Sequence, residues 1–424
     1  MIEYSEHILD NGLTVITHTD RTTPLAAVNV LYGVGARNEQ PDLTGMAHLL
    51  EHLMFSGTPR HPDHDAEVSR MGGEANAFTN NDFTNYYLTV PAAAVEDALD
   101  LELDRMTCLD VSERALEVQR QVVTEEYKQR YLGQPYGDVW LLLRKLCYQT
   151  HPYRWATIGA DIAHVQRATL DQVRSFYTAH YRPDNAVLAV CGNIDADRVL
   201  ALADRFSPAA VPVPAATQTL PSEPPQAVRR TLTVHRDVPA NAIYKAYHMG
   251  PRLSSDYYAC DLMTDILASG HSSRLHDRLV RRDGIFSEAN AYITADLDPG
   301  LLVVTGRLAD GVSLERAEQA IDAELAELAT TGVTDYELAK VQNRYESTFV
   351  FSQYKAADRA YSLCYYNRIG HTDWVNNEPQ NYRQITADTM RQTAARLIVP
   401  ANECVLYYLK DNDTSTHNTI TTQP

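Results

Sequence analysis

The segment His48-Leu49-Leu50-Glu51-His52 brings two imidazoles and a carboxylate together within one stretch of chain. On a helix, positions 48 and 52 lie one turn apart on the same face, with position 51 beside them. Imidazoles placed in this way can hold a zinc ion through their ring nitrogens, while Glu51 acts as general base on water instead of as a ligand. The order is the reverse of the more familiar His-Glu-x-x-His helix. With 15 histidines in 424 residues, a chance His-x-x-Glu-His is expected in only about a few per cent of chains of this size. Leu49, Leu50, Leu53 and Met54 supply an apolar face, so an amphipathic helix is expected with or without a metal. A catalytic zinc also needs a third protein ligand and an open fourth position. A helix over residues 112–131 offers Glu125 and Glu126 side by side, although such a pair also reads as a solvated helix face. His61 and His64 follow Gly57 and Pro62 and read as solvated loop histidines.

The elements that must position these groups fall into two halves. Residues 207–226 hold six prolines without helical or strand periodicity, which predicts an extended connector. The expected division is therefore residues 1–206, a linker at 207–228, and residues 229–424. Each half opens with a pair of β-type runs, 12–16 and 25–32 in one, 230–234 and 242–247 in the other. A helix follows each pair, at 43–55 and 256–268, and each ends in Ser-Gly, a usual helix stop. This parallel indicates an internal duplication. In the first half a short helix (63–70) precedes strands at 74–79 and 83–90, and helices at 91–106 and 112–131 follow. Strands joined by a tight turn and followed by helices predict an α+β fold: two homologous domains, each an antiparallel sheet with helices packed on one face, joined by the Pro-rich linker.

The bulk properties exclude several functions. A net charge of −18 leaves no basic footprint for nucleic acid. No apolar run approaches the ~18 residues that a membrane span requires. The six cysteines are scattered without a Cys-x-x-Cys pair, which fits buried reduced thiols better than a disulfide framework or a thiolate metal site. The polar, acidic start Met1-Ile2-Glu3-Tyr4-Ser5-Glu6-His7 lacks the pattern of a signal peptide. A cytoplasmic location is expected, or a periplasmic one if a leader has been removed.

The run Gly45-Met46-Ala47-His48-Leu49-Leu50-Glu51-His52-Leu53-Met54-Phe55-Ser56-Gly57-Thr58 resembles the pitrilysin/insulinase family of zinc peptidases, also called inverzincins. It is most similar to their shorter branch, which includes the mitochondrial processing peptidase subunits. The resemblance continues through Gly72-Gly73-Glu74-Ala75-Asn76-Ala77-Phe78-Thr79, Arg120-Gln121-Val122-Val123-Thr124-Glu125-Glu126 and His151-Pro152-Tyr153. It returns in Ser272-Ser273-Arg274-Leu275 and Asp283-Gly284. The resemblance implies a zinc endopeptidase that binds one Zn2+ per chain through His48, His52 and Glu126, with Glu51 as base. A second glutamate, seven residues before the third ligand in many relatives, is replaced by Gln119, an amide that hydrogen-bonds without charge. Ala75, Asn76, Ala77 and Phe78 match the edge strand on which the family binds extended peptides.

In the second half, Asp261, Thr264 and Asp265 stand where the zinc residues would be, so no second zinc centre is expected. Active relatives also use an Arg and a Tyr seven residues later to stabilise the developing oxyanion. Val280 and Ser287 occupy those positions, and Arg281 and Phe286 are each one residue out of register. The resemblance thus implies a heterodimer in which a related subunit supplies the Arg/Tyr pair. The rival expectations are a catalytically inactive scaffold subunit, and an interaction module with a purely structural zinc.

Overall fold

Runs of branched and aromatic residues become the strands of two six-stranded sheets in the computed structural model, which describes residues 1–106, 108–206, 219–411 and 419–422. The first sheet contains β1 (Ser5–Ile8), β2 (Thr14–Thr19), β3 (Leu25–Tyr32), β4 (Glu74–Thr79), β5 (Thr84–Pro91) and β6 (Ala186–Gly192). The second contains β7 (Arg230–Arg236), β8 (Ala242–His248), β9 (Phe286–Ile293), β10 (Leu301–Leu308), β11 (Glu403–Lys410) and β12 (Thr419–Thr422). Their orders are β1-β2-β6-β3-β5-β4 and β12-β7-β11-β8-β10-β9. Five strands of each sheet correspond in the same chain order, and the sixth place is taken by β1 in one and by the C-terminal β12 in the other, so the α+β class and the duplication both hold. Within each mainly antiparallel sheet one pair is parallel, β2 with β6 and β7 with β11.

The repeat extends to the edges. β4 carries Glu74-Ala75-Asn76-Ala77-Phe78 and β9 carries Glu288-Ala289-Asn290-Ala291-Tyr292. In both, the Glu and Asn are exposed and the other three residues are half-buried.

The packed units do not follow a division at residues 206 and 229. One unit comprises Met1–Tyr127, Trp155–Leu220 and Phe349–Glu378; the other comprises Lys128–Arg154, Pro221–Thr348 and Pro379–Pro424. Each unit therefore takes a helical stretch from the other half of the chain. The physical reason lies in the sheets. β6 is buried along its whole length and β3 everywhere except Leu25. Successive side chains point to opposite faces, so both faces of these strands must be covered. In the first unit, helix Ala356–Arg368 packs on β3 and β6 with Ala360, Leu363 and Cys364 buried. In the second unit, helix Val139–Cys147 buries Val139, Leu143 and Leu146 in a core shared with Leu232, Val234, Ala246, Val303 and Leu406.

Of the expected linker, residues 207–218 lie outside the described residues, as do 412–418 and 423–424 in the tail. Its remaining part is held in place: the Glu223 carboxylate accepts the Gln149, Thr150 and His151 amides at 2.8–3.0 Å. Among the described residues no helix is long and apolar enough to cross a membrane.

The exchanged helices are structural members of the units that receive them. Leu143→Ala and Leu363→Ala, both at fully buried positions, should each cost about 2–5 kcal/mol in urea unfolding. A loss below about 1 kcal/mol at either would show that its helix is not part of the core.

Candidate metal centre

The His48/His52 pair lies on helix Met46–Leu53, shorter than the expected 43–55. Its inner face is built from Met46, Ala47, Leu49, Leu50 and Leu53, all buried. The helix begins at Gly45, with φ +84°, where an added Cβ would lie 2.7 Å from both the Ile158 carbonyl oxygen and a Val165 methyl. Glycine is required there on both counts. It has no side chain to cap the first amides, and a residue further upstream does so. The buried carboxyl group of Glu39 accepts the Gly45 amide at 2.8 Å and the Ala47 amide at 2.9 Å. Burial pushes the Glu39 carboxyl up to about 8, although hydrogen bonds from the Ala47, Gly45 and Met46 amides and from Trp155 oppose that rise. No sequence motif marks Glu39; the one signal for an upstream cap is that Gly45 carries no capping side chain.

The third donor arrives on helix Glu113–Tyr127, which starts where the Ser112 hydroxyl accepts the Ala115 amide at 3.1 Å. Leu116 and Val123 bury its inner face. The helix gives way to a π-helical segment, Lys128–Leu132, within the expected span of 112–131. Near its end, Glu126 Oε2 lies 3.6 Å from His48 Nε2 and 3.4 Å from His52 Nε2. Glu125 beside it is exposed. Two donors at ~2.0–2.1 Å from a tetrahedral zinc are about 3.3–3.4 Å apart, so these separations suit one ion. The three ligand atoms all lie within 4.8 Å of one another, the only such group of three or more among the described residues. The side chains of His48, His52 and Glu126 keep 13, 25 and 17% of their surface exposed, which leaves solvent access for a fourth position. Gln119, two turns before Glu126 on the same helix, is half-buried.

Beneath the metal helix lies a buried polar layer. Tyr86 and Tyr181 share a hydrogen bond at 3.1 Å. Burial, then the neighbouring Tyr181 and the charge of Glu51, push the Tyr86 hydroxyl well above its usual range. Tyr181 is likewise raised by burial, and Glu51 adds to the rise. Both phenols stay neutral beside the Glu51 carboxylate. The Arg105 guanidinium stacks over the Tyr86 ring at 4.5 Å and pairs with Glu102 at 2.6 Å. Burial would raise the Glu102 carboxyl, but Arg105 and His64 together hold it below its usual range. His64 corrects an expectation: it is 1% exposed, with Nε2 3.6 Å from Glu102 and its ring edge-on to Phe55. It opens helix His64–Arg70, where Asp63 caps the Ala66 amide. His61 is also mostly covered, 3.4 Å from Asp100. His61 stays in the loop as expected but is largely covered, whereas His64 is neither in a loop nor solvated.

Residues 14–135 match the family model of insulinase, peptidase family M16, and residues 167–345 match the model of the peptidase M16 inactive domain. An uncharacterised zinc protease of Mycobacterium leprae is 30% identical over 78% of this chain and 74% of its own length. The chain belongs to peptidase family M16. The zinc protease PqqE of Helicobacter pylori is 29% identical over 96% of this chain and 90% of its own. The crystal structure of a protease from Helicobacter pylori superposes with a TM-score of 0.89 at 26% identity, covering 96% of this chain and all of that one.

The remaining positions singled out from the sequence divide between the two units. Ala75, Asn76, Ala77 and Phe78 lie on β4, an edge strand paired with β5 alone. The Ala77 amide donates to the Asn76 side-chain oxygen at 2.8 Å, and Phe78 packs edge-on against Tyr361. In the second unit, Asp261 accepts the Tyr382 hydroxyl at 2.6 Å and Thr264 donates to the Asp261 carbonyl. Arg281 pairs with Asp277. Phe286 is buried against Gly306, where an added Cβ would lie 2.4 Å from its ring. Ser287 donates to the Arg307 carbonyl at 3.2 Å. These side chains have structural work, and the two out-of-register candidates for the Arg/Tyr roles are engaged elsewhere.

Removing the upstream cap should weaken the metal helix. Glu39→Ala leaves two buried amides without acceptors and should cost about 2–4 kcal/mol in urea unfolding. The carboxyl keeps its proton to about 8 in the folded chain against an ordinary value of 4.5. Its contribution is therefore fully present below pH 4.5 and is lost as pH rises towards about 8. Stability of the wild type relative to Glu39→Gln should fall across that window; a relative gain would contradict the assignment.

Proposed function

We propose that this chain is the zinc-bearing subunit of a metalloendopeptidase that hydrolyses peptides or unfolded segments. The observation that carries this reading is the convergence of His48, His52 and Glu126 within 4.8 Å. A single zinc ion held by these three side chains supplies Lewis acidity, which lowers the pKa of bound water towards ~7 and polarises a carbonyl. Glu51 follows His48 by three residues and stands beside His52, so its carboxylate serves as the base. It takes a proton from the attacking water and delivers it to the departing amine. The neutral Tyr86 and Tyr181 beneath it add no competing negative charge. Gln119 supports the donor helix without contributing charge.

An extended peptide adds to β4 as a further strand, with main-chain hydrogen bonds supplying affinity. Its carbonyl takes over the Ala77 amide from Asn76, and Ala75 and Ala77 present little bulk against it. Val280 and Ser287 cannot provide the cationic and phenolic donors expected for an oxyanion, so a related partner subunit supplies an Arg/Tyr pair and the active form is a heterodimer. The rival reading, a silent scaffold subunit, draws on the inactive-domain match. That match covers residues 167–345 and contains none of the zinc donors or the base.

Glu51→Gln should keep one zinc per chain by elemental analysis yet lose at least about 100-fold in turnover of a quenched peptide. Near-normal turnover would remove Glu51 from the base role. Glu126→Ala should lose the metal itself; full zinc retention would exclude it as third ligand. Activity of the purified chain should rise sharply on adding a related subunit that carries the Arg/Tyr pair. Full activity without it would refute the heterodimer.

A further inference from the structure

Outside the metal centre, two histidines of the second unit meet at a turn. Helix Ser255–Ala268 stops before Gly270, with φ +81°, and His271 follows on the exposed side. His276 lies in the π-helical segment Leu275–Arg282. His271 Nδ1 and His276 Nε2 are 3.3 Å apart, with ring centroids at 4.7 Å and ring planes inclined by 68°. That separation is the bite of two imidazoles on one tetrahedral ion, since nitrogens at ~2.0–2.1 Å from the metal lie about 3.3–3.4 Å apart.

The proton positions also suit an ion. His276 Nδ1 lies 3.2 Å from the His271 carbonyl oxygen. A carbonyl can only accept, so Nδ1 carries the proton and Nε2 keeps its lone pair facing His271. A carbonyl partner of this kind orients metal-binding histidines generally. Without an ion, His271 Nδ1–H donates to that lone pair. With one, the His271 proton sits on Nε2 instead, and both facing nitrogens become ligands.

The backbone between the two rings is anchored. The Ser273 hydroxyl donates to the Gly270 carbonyl at 2.7 Å, and the Asp277 amide donates to the Ser273 carbonyl at 2.8 Å. Arg274 is buried, donating to Glu337 at 2.7 and 2.9 Å and to the Gly332 carbonyl at 2.9 Å. Leu275 is fully buried. The turn is therefore held whether or not the rings bind anything, and little ordering is left for an ion to drive.

We propose that His271 and His276 form a second metal site, a two-imidazole clamp for a late first-row divalent ion such as Cu2+, Ni2+ or Zn2+. Among the described residues no third His, Cys, Asp or Glu joins them, so water fills the remaining positions. The site is distinct in its donors from the His48/His52/Glu126 centre and does not depend on peptidase activity. The order of affinity for imidazole ligands favours Cu2+ over Ni2+ and Zn2+.

The test is Cu2+ binding to the full chain, counted by equilibrium dialysis and elemental analysis, for wild type, His271→Ala and His276→Gln. Any copper taken by the other centre is common to all three proteins. Each variant should bind one Cu2+ per chain fewer than wild type, with a melting temperature in chelator changed by no more than about 2 °C, because His271 is exposed and His276 half-buried on an anchored turn. Wild-type electron paramagnetic resonance should gain a nitrogen-coordinated copper component that both variants lack. Equal stoichiometry in all three proteins, or a copper spectrum unaffected by both substitutions, would overturn the proposal.

Discussion

A helix of only two turns has to present three polar side chains in fixed directions, and alone it would not be stable in water. The candidate metal centre depends on how that helix is held. Its buried face supplies the driving force: Met46, Ala47, Leu49, Leu50 and Leu53 are all within the core. Its first turn, tightly packed against Ile158 and Val165, cannot use water to satisfy its amides, and the Glu39 carboxyl accepts those of Gly45 and Ala47 instead. His48, Glu51 and His52 occupy the rest of the helix. Their relative positions are inherited from the backbone, and their absolute positions from the cap and the core.

The charges around this helix are arranged so that few of them compete. Arg105 and Glu102 neutralise one another in the interior, and the guanidinium lies over the Tyr86 ring. Tyr86 and Tyr181 place neutral hydroxyls beside Glu51. A buried salt bridge of this kind contributes little net stability. It does give the aromatic layer under the metal helix a fixed geometry. His64 and Phe55 belong to the same layer, so the loop after the metal helix is tied down where helix His64–Arg70 begins.

Both units solve the same packing problem in the same way. A mixed sheet whose central strands are largely buried needs a helix on each face, and each unit obtains one from across the chain. The duplication is thus an exchange as well as a repeat. The repeated edge motif, Glu-Ala-Asn-Ala followed by an aromatic residue, shows how closely the two copies still correspond. Around Cys260 and Asp261 the correspondence has been put to other use, with Asp261 and Tyr382 forming a structural hydrogen bond.

Much of this was legible in the chain itself. The His48–Glu51–His52 spacing is a property of one helix, and helical periodicity places its side chains without reference to anything distant. The β-type runs and the Ser-Gly stops are equally local, so the strand pairs and the duplication could be read directly. The repeated edge motif was also present in the sequence. The rest needed tertiary structure because it rests on groups far apart in the chain. From the residues alone, Glu125 and Glu126 are equivalent candidates; the rotation of helix Glu113–Tyr127 against the metal helix turns Glu126 to the histidines and Glu125 to water. Periodicity identifies Leu143 and Leu363 as facing a core, but not which sheet supplies it. His64 reads as polar and exposed until Phe55 and Glu102 close over it. Sequence determined which side chains share a face, because the helix repeat is intrinsic to the backbone; tertiary structure decided what each face meets, because that depends on packing between distant segments.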